Sequence, residues 1–178
     1  MSGACYLGVD GGGVRVMLVP FVATDDVGRI RRDDLTPLPE SLSRIAAYLD
    51  ERRLVGTRLV IEPPEYQGIT AVISVRSRAR YRPEEVRREV LTAVYRLFDP
   101  LHGGPEGRGW PLGRAVQAHE VNAALARIPG VDMAEDVNVQ LFPADAATGR
   151  RGQTAQRIPL APTALVFSYE HQVRVRGT

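Results

Sequence analysis

The sequence of 178 residues contains no lysine, one cysteine and one tryptophan, and only 6% of it is aromatic. Because Cys5 is alone, it excludes an intramolecular disulfide and a metal cage built from cysteines. No apolar run approaches the roughly 18 residues that a membrane helix needs, and no secretory signal is visible. The sequence thus predicts a protein that is made in the cytoplasm and has no membrane partner.

All 23 basic residues are arginine, and 21 acidic residues nearly balance them, for a net charge of +2. A GC-rich genome is the simplest cause of this bias toward arginine. The planar guanidinium also suits contacts with carboxylates and interfaces better than an ammonium does. With 44% hydrophobic residues, the chain has the composition of a globular protein and enough length to bury a core.

Three elements are predicted in residues 13–66. Apolar runs at Val14–Pro20 and Arg58–Glu62 predict strands. Between them a helix is predicted to begin at Pro39, with an apolar stripe at Leu42, Ile45, Ala46 and Leu49. This segment is expected to be a small α/β subdomain of order β-α-β, and residues 1–12 are expected to be a flexible lead-in.

Residues 67–178 are predicted to form an α+β subdomain. Ile69–Arg76 reads as a strand, and Pro83 opens the strongest helical pattern of the chain. A third helix is predicted around Val121–Ile128, and the strands after it are predicted at Asp136–Phe142, Ala164–Ser168 and Gln172–Arg176. The fold class is therefore α+β, with small mixed sheets each covered by helices, in the order β-α-β and then β-α-α-β-β with one further strand.

The glycine-rich stretch Leu7–Gly13 resembles the first phosphate loop of the sugar-kinase and actin-like ATPase superfamily. In such loops backbone N–H groups hold phosphate, and an aspartate such as Asp10 helps to hold a metal ion. Here Val14 stands where that family has a hydroxyl residue, and no second phosphate loop follows. A small nucleotide-binding domain using Asp10–Gly13 is therefore the alternative function.

Catalytic patterns find little support. His119-Glu120 begins like a zinc-protease helix, but Ala123 stands where the second histidine is required. The three histidines, His102, His119 and His171, are best explained as structural residues with satisfied hydrogen bonds. The sequence therefore predicts no enzyme, no catalytic residue, no metal ligand and no cofactor.

An arginine run follows the strand Ile69–Arg76. Its members alternate along the chain, at Arg76, Arg78, Arg80 and Arg82. In an extended segment this period of two places them on one side, where they fit an acidic protein partner or a solvated edge. A nucleic-acid partner is disfavoured, because Tyr81 is the only interleaved aromatic and acidic residues follow at Glu84, Glu85 and Glu89.

The segment Asp99–Arg114 contains five glycines, three prolines and the single tryptophan. Glycine and proline at this density forbid a continuous helix, and a tryptophan inside a loop usually fixes it to a core. The sequence therefore predicts an ordered connector. Two roles remain open for Trp110, a plug in its own core or a contact with a partner protein.

Several stretches in order resemble the C-terminal region of the baseplate J-like wedge proteins of contractile phage tails and related injection systems. They are Tyr48–Arg58, Pro64–Gly68, Pro100–Gly104 with Gly109–Arg114, Val116–Val131 and Leu165–Glu170. The most specific part is Pro-Leu-His-Gly-Gly followed by Gly-Trp-Pro-Leu-Gly-Arg, where Leu112 replaces a commoner phenylalanine. Because members of that family are much longer, the chain resembles a C-terminal fragment or a shortened relative.

This resemblance implies a structural baseplate component that acts by protein assembly, as part of a phage tail-like particle. The implied partners are other wedge proteins, the tail hub and the sheath, in an oligomer with no nucleic acid. The interface residues expected from residue type are Arg108, Trp110 and Arg114, together with Arg76, Arg78 and Arg80. Strand edges at Ile69–Arg76 or Gln172–Arg176 are expected to accept a strand from a neighbour.

Overall fold

A computed structural model of the chain describes residues 3–10, 13–134 and 137–177, with the side chains of 3–10 left undescribed. The strands are β1 (Gly3–Asp10), β2 (Gly13–Pro20), β3 (Arg58–Glu62), β4 (Glu65–Arg76), β5 (Val116–Gln117), β6 (Asn138–Ala144), β7 (Arg157–Ile158), β8 (Ala164–Ser168) and β9 (Gln172–Arg176). The helices are α1 (Pro39–Asp50), α2 (Pro83–Leu97) and α3 (Ala118–Leu125), with a 3-10 turn at Asp33–Leu35.

The N-terminal layer consists of a three-stranded sheet in the order β1-β2-β3 and of helix α1. β1 is antiparallel to β2, and β3 is parallel to β2. Helix α1 packs on β3, the edge strand. The sequence favours a flexible lead-in at 1–12, but Gly3–Asp10 form a regular strand because β2 supplies an antiparallel partner along its whole length.

The C-terminal layer is built around β4. Strand β6 pairs antiparallel with one edge of β4, while β8 and then β9 pair parallel with the other edge. The expectation that Ile69–Arg76 is an exposed edge is therefore wrong, because β4 has a partner on each side. The two larger sheets mix parallel and antiparallel pairs and carry helices, and β5 and β7 form a small antiparallel pair besides them. This arrangement confirms the predicted α+β class.

Alternation along β4 creates the main core. Ile69, Ala71, Ile73 and Val75 are buried on the face covered by α2 and α3. This core receives Val86, Val90 and Val94 from α2 and Phe98 from the position just after it, and the four fall at the spacing of one helical face. The apolar pattern of α2 in the sequence therefore corresponds to full burial.

A second, smaller core lies on the opposite face, near the start of β4. It combines Val19, Ile30 and Leu35 with Leu165 and Phe167 of β8. This core joins side chains from both predicted subdomains. The predicted boundary between residues 66 and 67 falls inside β4, because Pro63-Pro64 end β3 but pairing resumes at Glu65. The division into subdomains stays a prediction.

Candidate functional site

The connector Asp99–Arg114 is an ordered loop that begins by closing helix α2. The Asp99 carboxylate accepts hydrogen bonds from the backbone N–H groups of Leu101 and His102, at 2.7 and 3.0 Å. The N–H of Gly104 donates to the carbonyl of Leu97, at 2.7 Å, and so pairs an acceptor that the helix end leaves open. Hydrogen bonds therefore connect the start of the loop directly to the end of the helix.

Two glycines are required by the close approach of the loop to itself. Gly104 has φ +74°, and a Cβ there would lie 2.5 Å from the carbonyl oxygen of Gly109. Gly109 has φ +95°, and a Cβ there would lie 2.6 Å from the carbonyl oxygen of Pro100. Both the backbone angle and the lack of space exclude a side chain at these positions.

Trp110 holds the loop to the main core. Its side chain is completely buried and packs against Phe98, with the ring centroids 5.5 Å apart. The indole N–H donates to the carbonyl of Arg114, at 2.9 Å, so the one polar group of the ring is satisfied. Of the two roles that the sequence left open, the geometry therefore favours the plug in its own core.

Arg114 connects the loop to helix α3. Its Nη2 donates to Oε1 of Glu120 at 2.6 Å, and the guanidinium lies 5.2 Å from the centroid of the Trp110 ring. The other carboxylate oxygen of Glu120 accepts the backbone N–H of Gln117, at 3.0 Å, just before α3 begins. Glu120 therefore positions both Arg114 and the start of α3, a role that the sequence motifs did not predict. Its place three residues after Gln117 is the spacing of a capping box, and this spacing could have indicated the role.

The tip of the loop faces solvent. Arg108 is exposed, and its guanidinium contacts the Glu106 carboxylate at 2.6 Å. A shallow groove of about 460 Å³ runs beside the tip, with Pro105, Arg108 and Pro111 among its walls. Of the three loop residues predicted to contact a partner, Arg108 is the most exposed, Arg114 is partly exposed and Trp110 is buried. Their role in an interface stays a prediction.

The arginine run lies on extended backbone only in its first part. β4 ends at Arg76, but Ser77 forms an isolated antiparallel bridge with Val131, in which the N–H of Arg78 donates to the carbonyl of Gly130. The chain turns only after Arg78, where the N–H of Tyr81 donates to the carbonyl of Arg78. The turn at residues 79–80 interrupts the extended backbone, so the predicted period of two does not run unbroken from Arg76 to Arg82. An interface role for the three arginines stays a prediction.

The parallel register instead pairs Arg76 with Arg176 of β9, a neighbour that the sequence does not reveal.

His171 occupies the gap between β8 and β9. Its Nδ1 accepts the backbone N–H of Ala71, at 2.9 Å, so Nε2 carries the proton and donates to Oγ of Ser168, at 3.1 Å. Burial, with Arg29 and Arg151 adding repulsion, lowers the pKa of His171 to about 3. This confirms the predicted structural role of His171, because a neutral ring that donates to Ser168 completes the sheet rather than activating the serine.

The alternative phosphate loop is only partly described. Asp10 ends β1 and Gly13 begins β2, but the intervening Gly11 and Gly12 lie outside the described residues. No group of three potential metal ligands occurs in the described part of the chain. Among those same residues, no helix has the length and apolar character that spanning a membrane requires.

No protein-family model matches the sequence, and no curated protein matches it. Among solved structures, the chain is similar to a chain in the cryo-EM structure of the anti-feeding prophage baseplate, with 16% sequence identity and a TM-score of 0.47. The similarity covers 89% of this chain, which spans 29% of the length of the baseplate chain.

Proposed function

We propose that the chain is a structural wedge component of a contractile tail-like baseplate and acts by binding other baseplate proteins. The observation that carries the proposal is the loop Asp99–Arg114. Its most specific sequence segment, which resembles baseplate J-like proteins, forms a loop with a buried base and an exposed tip. Assembly of this kind requires stable protein–protein contact surfaces rather than a catalysed reaction.

The hydrogen bonding of the loop supports a binding role. Trp110 fills the core, the Gly104 N–H connects the start of the loop to α2, and Arg114 connects its end to α3. Gly104 and Gly109 allow the close turns of the loop. A loop that is already ordered loses little conformational entropy when a partner binds its tip. Loops fixed on a rigid scaffold are also where binding residues concentrate.

The test is complex formation with the purified products of the neighbouring baseplate-like genes, followed by light scattering. We expect a complex of defined mass that the R108E substitution weakens at least about tenfold, because it reverses the charge at the exposed tip. Arg108 is exposed, so its replacement is expected to change the stability of the chain by less than about 0.5 kcal/mol.

The matched control is R127E, which reverses an exposed charge at the end of α3, away from the tip. It is expected to leave the complex unchanged. In the same assay, R78E tests the second set of predicted interface residues, Arg76, Arg78 and Arg80. A chain that binds none of the neighbouring proteins contradicts the proposal. Binding of ATP by such a chain supports the nucleotide-binding alternative.

A further inference from the structure

Exposed apolar side chains concentrate around helix α1. The large examples are Leu38 at 69%, Tyr48 at 59%, Leu54 at 80% and Val55, which is fully exposed. No residue of α1 is buried, although its apolar stripe faces β3. Between helix and strand runs an open groove of about 470 Å³, and its apolar walls are Leu42, Ala46, Leu59 and Ile61. An apolar surface of this kind marks an interaction site.

The groove borders an unpaired strand edge. β3 pairs with β2 on one side, and within the described residues no strand pairs with its other side. Natural edges are usually protected by charges or bulges, and β9 follows that rule with Gln172, Arg174 and Arg176. The centre of β3 is Leu59-Val60-Ile61, which offers no such protection.

The charges at the two ends of β3 indicate which strand would pair with this edge. The strand reads Arg-Leu-Val-Ile-Glu, with Arg58 at its start and Glu62 at its end. If two copies pair antiparallel about Val60, Arg58 lies opposite Glu62 of the partner subunit, and this occurs twice by symmetry. The same register places Leu59 opposite the partner's Ile61. The strand is therefore complementary to itself in both charge and apolar surface.

We propose that this edge pairs with β3 of a second copy of the chain, joining two three-stranded sheets into one of six strands. A two-fold axis through Val60, perpendicular to the sheet, keeps both α1 helices on the same face. The open groove between each α1 and its β3 then borders the paired edges. Glu62, which already contacts Arg15 at 3.2 Å, gains a second cation from the partner's Arg58. This inference stands without the proposed baseplate role, because it concerns copies of the chain alone.

The test uses two charge reversals, measured by sedimentation equilibrium across a concentration series. We expect the unmodified chain to dimerise, and R58E and E62R each to dimerise about tenfold more weakly, because each places like charges opposite each other twice. An equimolar mixture of R58E and E62R is expected to dimerise as tightly as the unmodified chain. In that mixture each carboxylate of one copy again faces a guanidinium of the other.

Recovery in the mixture also controls for folding, because a chain that E62R unfolds by removing the contact with Arg15 would not recover on mixing. R127E is the neutral control and is expected to dimerise normally. A chain that stays monomeric at about 100 μM overturns the inference. So does a dimer that both single variants retain, or that the mixture does not restore, because either result places the contact elsewhere.

Discussion

Helices α1 and α2 begin in the same way and end in different environments. Each starts at a proline in its first turn, after an extended residue, and each carries a strong apolar stripe. Helix α2 buries Val86, Val90, Val94 and Tyr95, whereas α1 buries none of its residues. An apolar stripe therefore determines which face of a helix avoids water, but a neighbouring element must be present before that face is buried.

The difference extends to the two layers. In the C-terminal layer, β4 has partners on both edges and helices on one face, so its apolar residues are enclosed. In the N-terminal layer, β2 is the one strand of the described ranges that pairs with β3, and α1 covers β3 only in part. We therefore expect substitutions to act on folding in the C-terminal layer and on association in the N-terminal layer.

The largest effect is expected at Trp110. W110A removes a fully buried indole that joins the loop to the core, and should lower the free energy of unfolding by about 3–5 kcal/mol. The measurement is urea unfolding followed by circular dichroism, since the variant has no tryptophan fluorescence. W110F keeps an aromatic ring, so its free energy of unfolding is expected to fall clearly less than that of W110A. A loss below about 1 kcal/mol for W110A would show that the loop is not part of the core.

The next effect is expected from protonation of His171. Its folded pKa, about 3, lies below the ordinary value of 6.5, so the unfolded chain binds the extra proton in that interval. Stability from this group is complete above pH 6.5 and is lost as the pH falls toward 3. We expect a loss of about 3 kcal/mol between pH 6.5 and pH 4, at 1.36 kcal/mol per pH unit.

The measurement is the free energy of unfolding at several pH values in that range. Carboxylates contribute to acid unfolding in any protein, so the His171 part is the difference in slope between the unmodified chain and H171Q. The variant is expected to be less stable at pH 7 but to show a flatter pH dependence. Equal slopes would mean that His171 is protonated in the folded chain.

The smallest effects compare the two helices directly. V90A removes buried methyl groups of α2 and should lower the free energy of unfolding by about 2 kcal/mol. L42A, on the open stripe of α1, should lower it by less than about 1 kcal/mol. Both are best measured in the R58E chain, so that pairing between copies does not add to stability. A cost of L42A that equals that of V90A would show that α1 is enclosed in the folded monomer.

Elements with strong local signals were predictable. Strands β3, β8 and β9 have the predicted bounds, because each is a short apolar or alternating run flanked by proline, glycine or polar residues. Helices α1 and α2 begin at Pro39 and Pro83 as predicted, since proline fits a first helical turn without losing a hydrogen bond. The strand predicted at Asp136–Phe142 corresponds to β6, which spans Asn138–Ala144, and Asp136 itself lies outside the described residues.

Elements that depend on distant partners were not predictable. Glycine and proline favour breaks at β1 and at the start of β4, but pairing with β2 and β8 overrides that local preference. Helix α3 ends at Leu125, although the apolar pattern continues to Ile128. In the loop, Trp110 was recognised from the composition of the segment. Glu120 was not recognised as the partner of Arg114, because this ion pair exists only in the folded chain.

The pairing of β4 with β8 and β9 has a consequence for the order of folding. Ala71 and His171, which form a hydrogen bond across this junction, are 100 residues apart. At a synthesis rate of about 5–20 residues per second, β4 leaves the ribosome roughly 5–20 seconds before this partner. During that interval α2 is the nearest element able to cover its apolar face, and contacts between distant segments form slowly. The central strand β4 therefore gains its last strand partners, β8 and β9, late in synthesis. The nascent chain has most need of chaperones before these two strands emerge.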